Sequence, residues 1–107
     1  MKINCSEFAA VYEADLGPKA LLDVREASEV SEGAIKNSLN IPGDQLVQRQ
    51  NEIPQNKNIY IHCRSGKRAQ AAYHILEKLG FKNIFYIAEG GYEDLKLCKC
   101  LQQGVKQ

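Results

Sequence analysis

Three short, nearly continuous apolar runs set the first constraint on this chain: Ala20-Leu21-Leu22-Asp23-Val24, Ile59-Tyr60-Ile61-His62 and residues 84–88. A strand with one wet face alternates apolar and polar residues. A run that stays apolar reads as a strand covered on both faces, the usual state of strands in a parallel sheet. The segments between the runs have helical period. Residues 68–79 align Ala69, Ala72, Tyr73, Leu76 and Leu79 on one face, with Gly80 as the stop. Residues 6–16 align Phe8, Val11, Tyr12 and Leu16 behind Ser6 as an N-cap, and Gly17-Pro18 ends that helix. Residues 26–32 form a short charged helix ended by Gly33, residues 44–52 a helix anchored by Leu46 and Val47, and residues 92–103 a final helix. Residues 38–41 add a short strand and residues 2–4 a weak edge strand. Strands that alternate with helices in this way specify an α/β fold, a parallel sheet with helices on both faces. No linker, repeat or low-complexity stretch interrupts it, so residues 1–107 are read as one domain.

Charge and cysteine usage narrow the functional classes. Lys and Arg total 14 against 13 Asp and Glu, a formal net charge of +1. That balance lacks the basic surplus needed to hold nucleic acid or an anionic membrane. No apolar run approaches the ~20 residues of a membrane span, and the first residues lack an apolar leader segment. The expectation is a cytoplasmic protein with no nucleic-acid or membrane partner. Its four cysteines, Cys5, Cys63, Cys98 and Cys100, are expected to be reduced thiols there. Cys98-Lys99-Cys100 lacks the usual zinc spacing, so neither metal nor cofactor is expected. Cys98 keeps helical step with Tyr92, Leu95 and Leu101 and reads as a small core residue; Cys5 and Cys100 suggest no chemistry.

Cys63 does. Working residues of open parallel sheets collect at the carboxyl ends of strands. Three segments leave such ends: Asp23-Val24-Arg25, His62-Cys63-Arg64-Ser65-Gly66-Lys67-Arg68, and Glu89-Gly90-Gly91. In the second, Cys63 follows a buried strand and a strong helix begins a few residues later. A glycine-containing loop that runs into a helix N-terminus turns its N–H groups inward as an anion-binding nest, and its field favours thiolate over thiol. Arg64, Lys67 and Arg68 add cations with no acid between them. A polarised thiol among donors is a nucleophile for anionic chemistry. His62, by strand alternation, points away from Cys63 and reads as packing; His74 has no catalytic neighbour.

The loop Cys63-Arg64-Ser65-Gly66-Lys67-Arg68 resembles the C-R-S-G-x-R active-site loop of single-domain rhodaneses, the sulfurtransferases. Leu22-Asp23-Val24-Arg25 is similar to that family's L-[ILV]-D-V-R, and residues 29–42 align without a gap to E-Y-x-x-G-H-I-P-G-A-x-N-I-P, keeping Glu29, Gly33, Ile35, Asn40, Ile41 and Pro42. Leu79-Gly80-Phe81-Lys82-Asn83-Ile84 and Gly90-Gly91 resemble its L-G-F-x-N-V and closing G-G. The departures are Ala34 for a frequent His, Lys36-Asn37-Ser38 for Pro-Gly-Ala, and Leu95 where a Trp often walls the pocket. Asn37 tolerates a left-handed backbone, so that turn is expected to survive.

The resemblance implies a single rhodanese-like domain with a five-stranded parallel sheet flanked by helices, and Cys63 at the bottom of a shallow pocket. It implies that Cys63 is the catalytic residue and that Arg64, Ser65, Gly66, Lys67 and Arg68 bind substrate. Arg64 and Lys67 draw in the anion, and Arg68 matches a residue that helps hold the loop. Asp23 and Arg25 support the loop, with Arg25 expected to pair with Glu29. The implied reaction takes the outer sulfur of thiosulfate or a related persulfide donor onto Cys63 and passes it to a thiol, cyanide or a thioredoxin-like acceptor. Two alternatives remain. One is a persulfide relay or binding module serving a partner protein. The other is a phosphatase- or arsenate-reductase-like enzyme, whose loops hold one residue more between Cys and Arg than the four here.

Overall fold

The computed structural model describes residues 2–35, 37–88 and 90–95; of Cys5, Ser6 and Ala9 it describes the backbone. Five strands, β1 (Lys2–Asn4), β2 (Lys19–Asp23), β3 (Leu39–Asn40), β4 (Asn58–His62) and β5 (Ile84–Ala88), form one sheet in the order β1-β5-β4-β2-β3. Every neighbouring pair is parallel. The helices are α1 (Cys5–Ala14), α2 (Ala27–Glu32), α3 (Lys67–Lys78) and α4 (Tyr92–Leu95). The α/β reading and the five-stranded parallel sheet are thus observed.

Alternation along the strands divides the core into two layers. Leu22, Ile59, Ile61, Cys63, Ile84, Tyr86 and Ala88 pack with Ala69, Ala72 and Leu76 of α3. Leu21, Tyr60 and Ile87 point the other way and pack with Ile3, Phe8 of α1, and Tyr92 and Leu95 of α4. Ile59–His62 is buried throughout because β4 lies between β2 and β5 with a helical layer on each face. Burial of a large side chain such as Phe8 is worth about 1.5–3 kcal/mol, and its stacking on Tyr12 with both rings set against Tyr60 fixes how α1 lies on the sheet. At the far end of α1, Asp15 accepts hydrogen bonds from the Tyr60 hydroxyl (2.6 Å) and Asn58 Nδ2 (2.9 Å). These bonds hold its carboxyl below the usual carboxylate range, the Tyr60 bond most strongly.

Three local expectations differ from what is observed. The N-cap of α1 is Asn4, not Ser6: its side chain accepts from the Glu7 N–H (2.9 Å) while the Glu7 carboxylate accepts the Asn4 N–H (3.4 Å), a reciprocal capping box. Its other end falls at Ala14, capped by Asp15, short of Leu16, which is 94% exposed. Residues 44–52 do not form one helix. Two 3₁₀ turns, Gly43–Gln45 and Gln50–Glu52, replace it, because Leu46 is the only buried residue between Gly43 and Glu52 and Val47 is left exposed. Leu95, the departure at the position where a Trp often stands, is buried against the α1 layer, in the core cluster opposite that of Cys63. Asn37 does take the left-handed conformation (φ 68°). The expected extension of the last helix to residue 103, with Cys98, Cys100 and Leu101, lies outside the described residues, as do Lys36 and Glu89.

Candidate active site

The chain runs from β2 outward to β3 and, separately, from β4 outward to β5 on the other side, so the winding reverses between β2 and β4. The carboxyl ends of those two strands therefore flank a crevice, the usual place for a ligand in such sheets. Asp23 and His62 are register partners at that edge, and Cys63 follows at once.

The local sequence turns Cys63 toward a helix end. Gly66 adopts φ 97°, a conformation that L side chains rarely take, and caps α3. Its N–H donates to Cys63 Sγ at 3.0 Å, and the Ala69 N–H donates to the same sulfur at 3.3 Å. Ala69 lies in the first turn of α3, where N–H groups have no partner within the helix, so the sulfur satisfies a donor that would otherwise be orphaned. Both N–H groups thus point at the sulfur from the positive end of α3, where an anion is ordinarily bound. Cys63 itself is 0% exposed. Arg64, Ser65 and Lys67 are exposed around it, and Gly66 is buried.

Arg68 is committed to a carboxylate. Its Nη1 and Nη2 fork onto the Glu29 carboxylate at 2.6 and 3.0 Å, which ties the start of α3 to α2. That hydrogen bond, above all, pulls the Glu29 carboxyl down to about 2. The expected Arg25–Glu29 pair is replaced by this one, because Arg25 is taken up nearer home. The Arg25 Nε and Nη2 groups donate to both oxygens of Asp23 (2.8–3.1 Å), and its main-chain N–H donates to Asp23 Oδ1 (3.0 Å). Arg25 Nη2 also reaches the Gly33 carbonyl (2.9 Å), and the guanidinium lies over the Tyr92 ring, 4.1 Å from its centroid. Asn40 Nδ2 fastens the same loop by donating to the Asp23 and Arg25 carbonyls. Asp23 and Arg25 are thus a buried brace at the end of β2, fastened by Asn40, which the sequence offers only as a matched position, while Glu29 serves Arg68 instead.

His62 is 0% exposed, and neither ring nitrogen has a hydrogen-bond partner among the described residues. Burial pushes it down to about 4; Arg25 pushes the same way, against the pull of Asp23 and of the Cys63 backbone. The unfolded chain takes up that proton near the ordinary 6.5, the folded chain only near 4. Between those values the unfolded state binds more protons, so stability present above pH 6.5 is lost as pH falls, by about 3 kcal/mol in all. Urea unfolding of the wild type is expected to show this slope between pH 7 and 4.5, and His62→Leu to flatten it. An unchanged slope in the variant would contradict the assignment.

A family model, the rhodanese-like domain, matches residues 8–98. The chain belongs to the rhodanese-like family. A sulfurtransferase of Allochromatium vinosum is 31% identical over 85 residues, covering 79% of each chain. A candidate sulfur carrier protein of Bacillus subtilis, YrkF, is 37% identical over 70 residues, which cover 65% of this chain but only 38% of that one. Among solved structures, a rhodanese-related protein from Thermoplasma volcanium superposes with a TM-score of 0.70 at 32% identity, covering 83% of this chain and 84% of that one. The relatives thus point to a sulfurtransferase family, and the rhodanese-like domain fills most of this chain. No helix among the described residues is long and apolar enough to cross a membrane.

Proposed function

We propose that the protein is a sulfurtransferase that carries a sulfane sulfur on Cys63. The observation that supports this most is a buried sulfur already facing two main-chain donors at the helix end. The Cys63 thiolate attacks the outer sulfur of thiosulfate. A new S–S bond forms, the old one breaks, and sulfite leaves with the bonding pair. The terminal sulfur of the Cys63 persulfide then passes to a thiol, cyanide or a thioredoxin-like acceptor, which restores the thiolate. The Gly66 and Ala69 N–H groups face the charge without rearranging, the condition under which such donors contribute most. The thiol is buried at rest, so attack needs the exposed Arg64-Ser65 stretch to give way.

Arg68 bears on the phosphatase reading. A phosphoryl group brings three oxygens that each need donors. The guanidinium best placed to close the loop around one is already forked onto Glu29. A single terminal sulfur makes no such demand.

Arg64 and Lys67 are the cations left facing solvent at the loop. Changing either to Ala is expected to raise the KM for thiosulfate several-fold, on the order of 1 kcal/mol each, with a penalty that shrinks as salt rises. Steady-state turnover with cyanide as acceptor reads this directly. An unchanged KM in both variants would remove the small dianion as donor, and Cys63-dependent hydrolysis of an aryl phosphate would overturn sulfur transfer itself.

A further inference from the structure

We propose that Tyr92 is a positioning residue for the nucleophile, acting through its main-chain N–H and held in place by its ring; this rests on the sulfur-transfer reading of Cys63. The Tyr92 N–H donates to the Cys63 carbonyl at 2.9 Å. The approach depends on Gly91, since a Cβ there would sit 1.8 Å from the Cys63 oxygen and 2.5 Å from the Arg64 oxygen. The turn from β5 into α4 thus lies directly on the backbone of the reactive residue. Asp94 fastens the turn: its carboxylate accepts the Gly91 N–H at 3.2 Å, and its own N–H donates to the Gly91 carbonyl at 3.0 Å.

The ring supplies the anchor. It is buried in the α1 layer, with the Arg25 guanidinium stacked on it, and Arg25 is locked to Asp23 and the Gly33 carbonyl. The Cys63 carbonyl is therefore held from one side by a rigid group, while its sulfur is held from the other by the Gly66 and Ala69 N–H groups. With both ends fixed, the Cys63 torsions have one solution. Without the carbonyl bond, the Cys63–Arg64 peptide turns and the sulfur leaves its donors.

Tyr92 is the first residue of α4, a position where proline is accommodated. Tyr92→Pro therefore deletes the N–H, Tyr92→Ala removes the ring but keeps the N–H, and Tyr92→Phe keeps both the N–H and the stack. Each variant is compared at equal folded fraction, measured by circular dichroism. Single-turnover persulfide formation from thiosulfate is expected to be about tenfold slower in Tyr92→Pro than in Tyr92→Ala, with the half-saturating concentration within about twofold. Iodoacetamide is expected to alkylate Cys63 faster in Tyr92→Pro, because the loop no longer encloses the sulfur, and Tyr92→Phe to match the wild type in both assays. Equal behaviour of the Pro and Ala variants in both assays would overturn the proposal. If Tyr92→Pro does not fold, amide exchange in the wild type decides. A Tyr92 N–H protected as strongly as the α3 core supports the clamp, and one exchanging as fast as an open loop overturns it. Failure of the wild type to form a persulfide would count against sulfur transfer alone, since alkylation and exchange do not depend on it.

Discussion

Cys63→Ser is expected to abolish persulfide formation and turnover while the protein unfolds at nearly the wild-type urea concentration. The exchange is almost isosteric, and a serine oxygen still accepts from the Gly66 and Ala69 N–H groups that now meet the sulfur. What is lost is the nucleophile, since a hydroxyl at neutral pH neither ionises nor bonds to sulfane sulfur as a thiolate does. Thiosulfate–cyanide turnover and urea unfolding on one preparation separate the two effects. Substitution of Cys5, Cys98 or Cys100 by Ser is expected to leave turnover largely unchanged. A loss of turnover on removal of Cys98 or Cys100 would instead support a relay of sulfur between thiols.

The largest effect on stability is expected from Asp23→Ala. Asp23 is fully buried, and both its oxygens are committed to Arg25. Its loss leaves a buried guanidinium that, among the described residues, keeps its hydrogen bond to the Gly33 carbonyl and its place over the Tyr92 ring but has lost its bonded carboxylate. An uncompensated buried charge of this kind costs about 3–5 kcal/mol. That is a large part of the roughly 5–15 kcal/mol that holds a domain together. Urea unfolding at pH 7 reads the loss. Asp23→Ala combined with Arg25→Met is expected to recover much of it, because the charge goes with its partner. A single variant as stable as the wild type, or a double variant no better than the single, would show that the pair is not the brace it is taken to be. The exposed Arg49–Glu52 pair gives the contrast: Glu52→Gln is expected to move the midpoint little, since solvent screens that interaction.

The architecture was legible where burial alone decides it. Residues 59–62 are apolar in succession because β4 is covered on both faces, and Ala69, Ala72 and Leu76 recur at helical spacing because one face of α3 meets the sheet. Residues 44–52 misled because their short-range pattern suits a helix, while the only strong anchor the core offers them is the site filled by Leu46. The nest at Cys63 was legible for a similar reason: a glycine between a buried strand and a helix leaves the N–H groups few directions to point. Ion-pair partners were not. Arg25 is four residues from Glu29 and two from Asp23, and sequence distance does not choose between them. The fold does: Arg25 forks onto the buried Asp23, and Arg68, brought alongside from the start of α3, takes Glu29. The clamp at Tyr92 left even less trace. It is made by a main-chain N–H, so its only mark in the sequence is the need for glycine at position 91.

The central claim is that one thiol carries the sulfur. Reduced wild-type protein is incubated with thiosulfate, freed of excess donor, digested without reductant and mapped by mass spectrometry. The account predicts one added sulfur atom on the peptide that contains Cys63, released by cyanide, with Cys5, Cys98 and Cys100 unmodified. Added sulfur on one of those three while Cys63 remains a free thiol would contradict it.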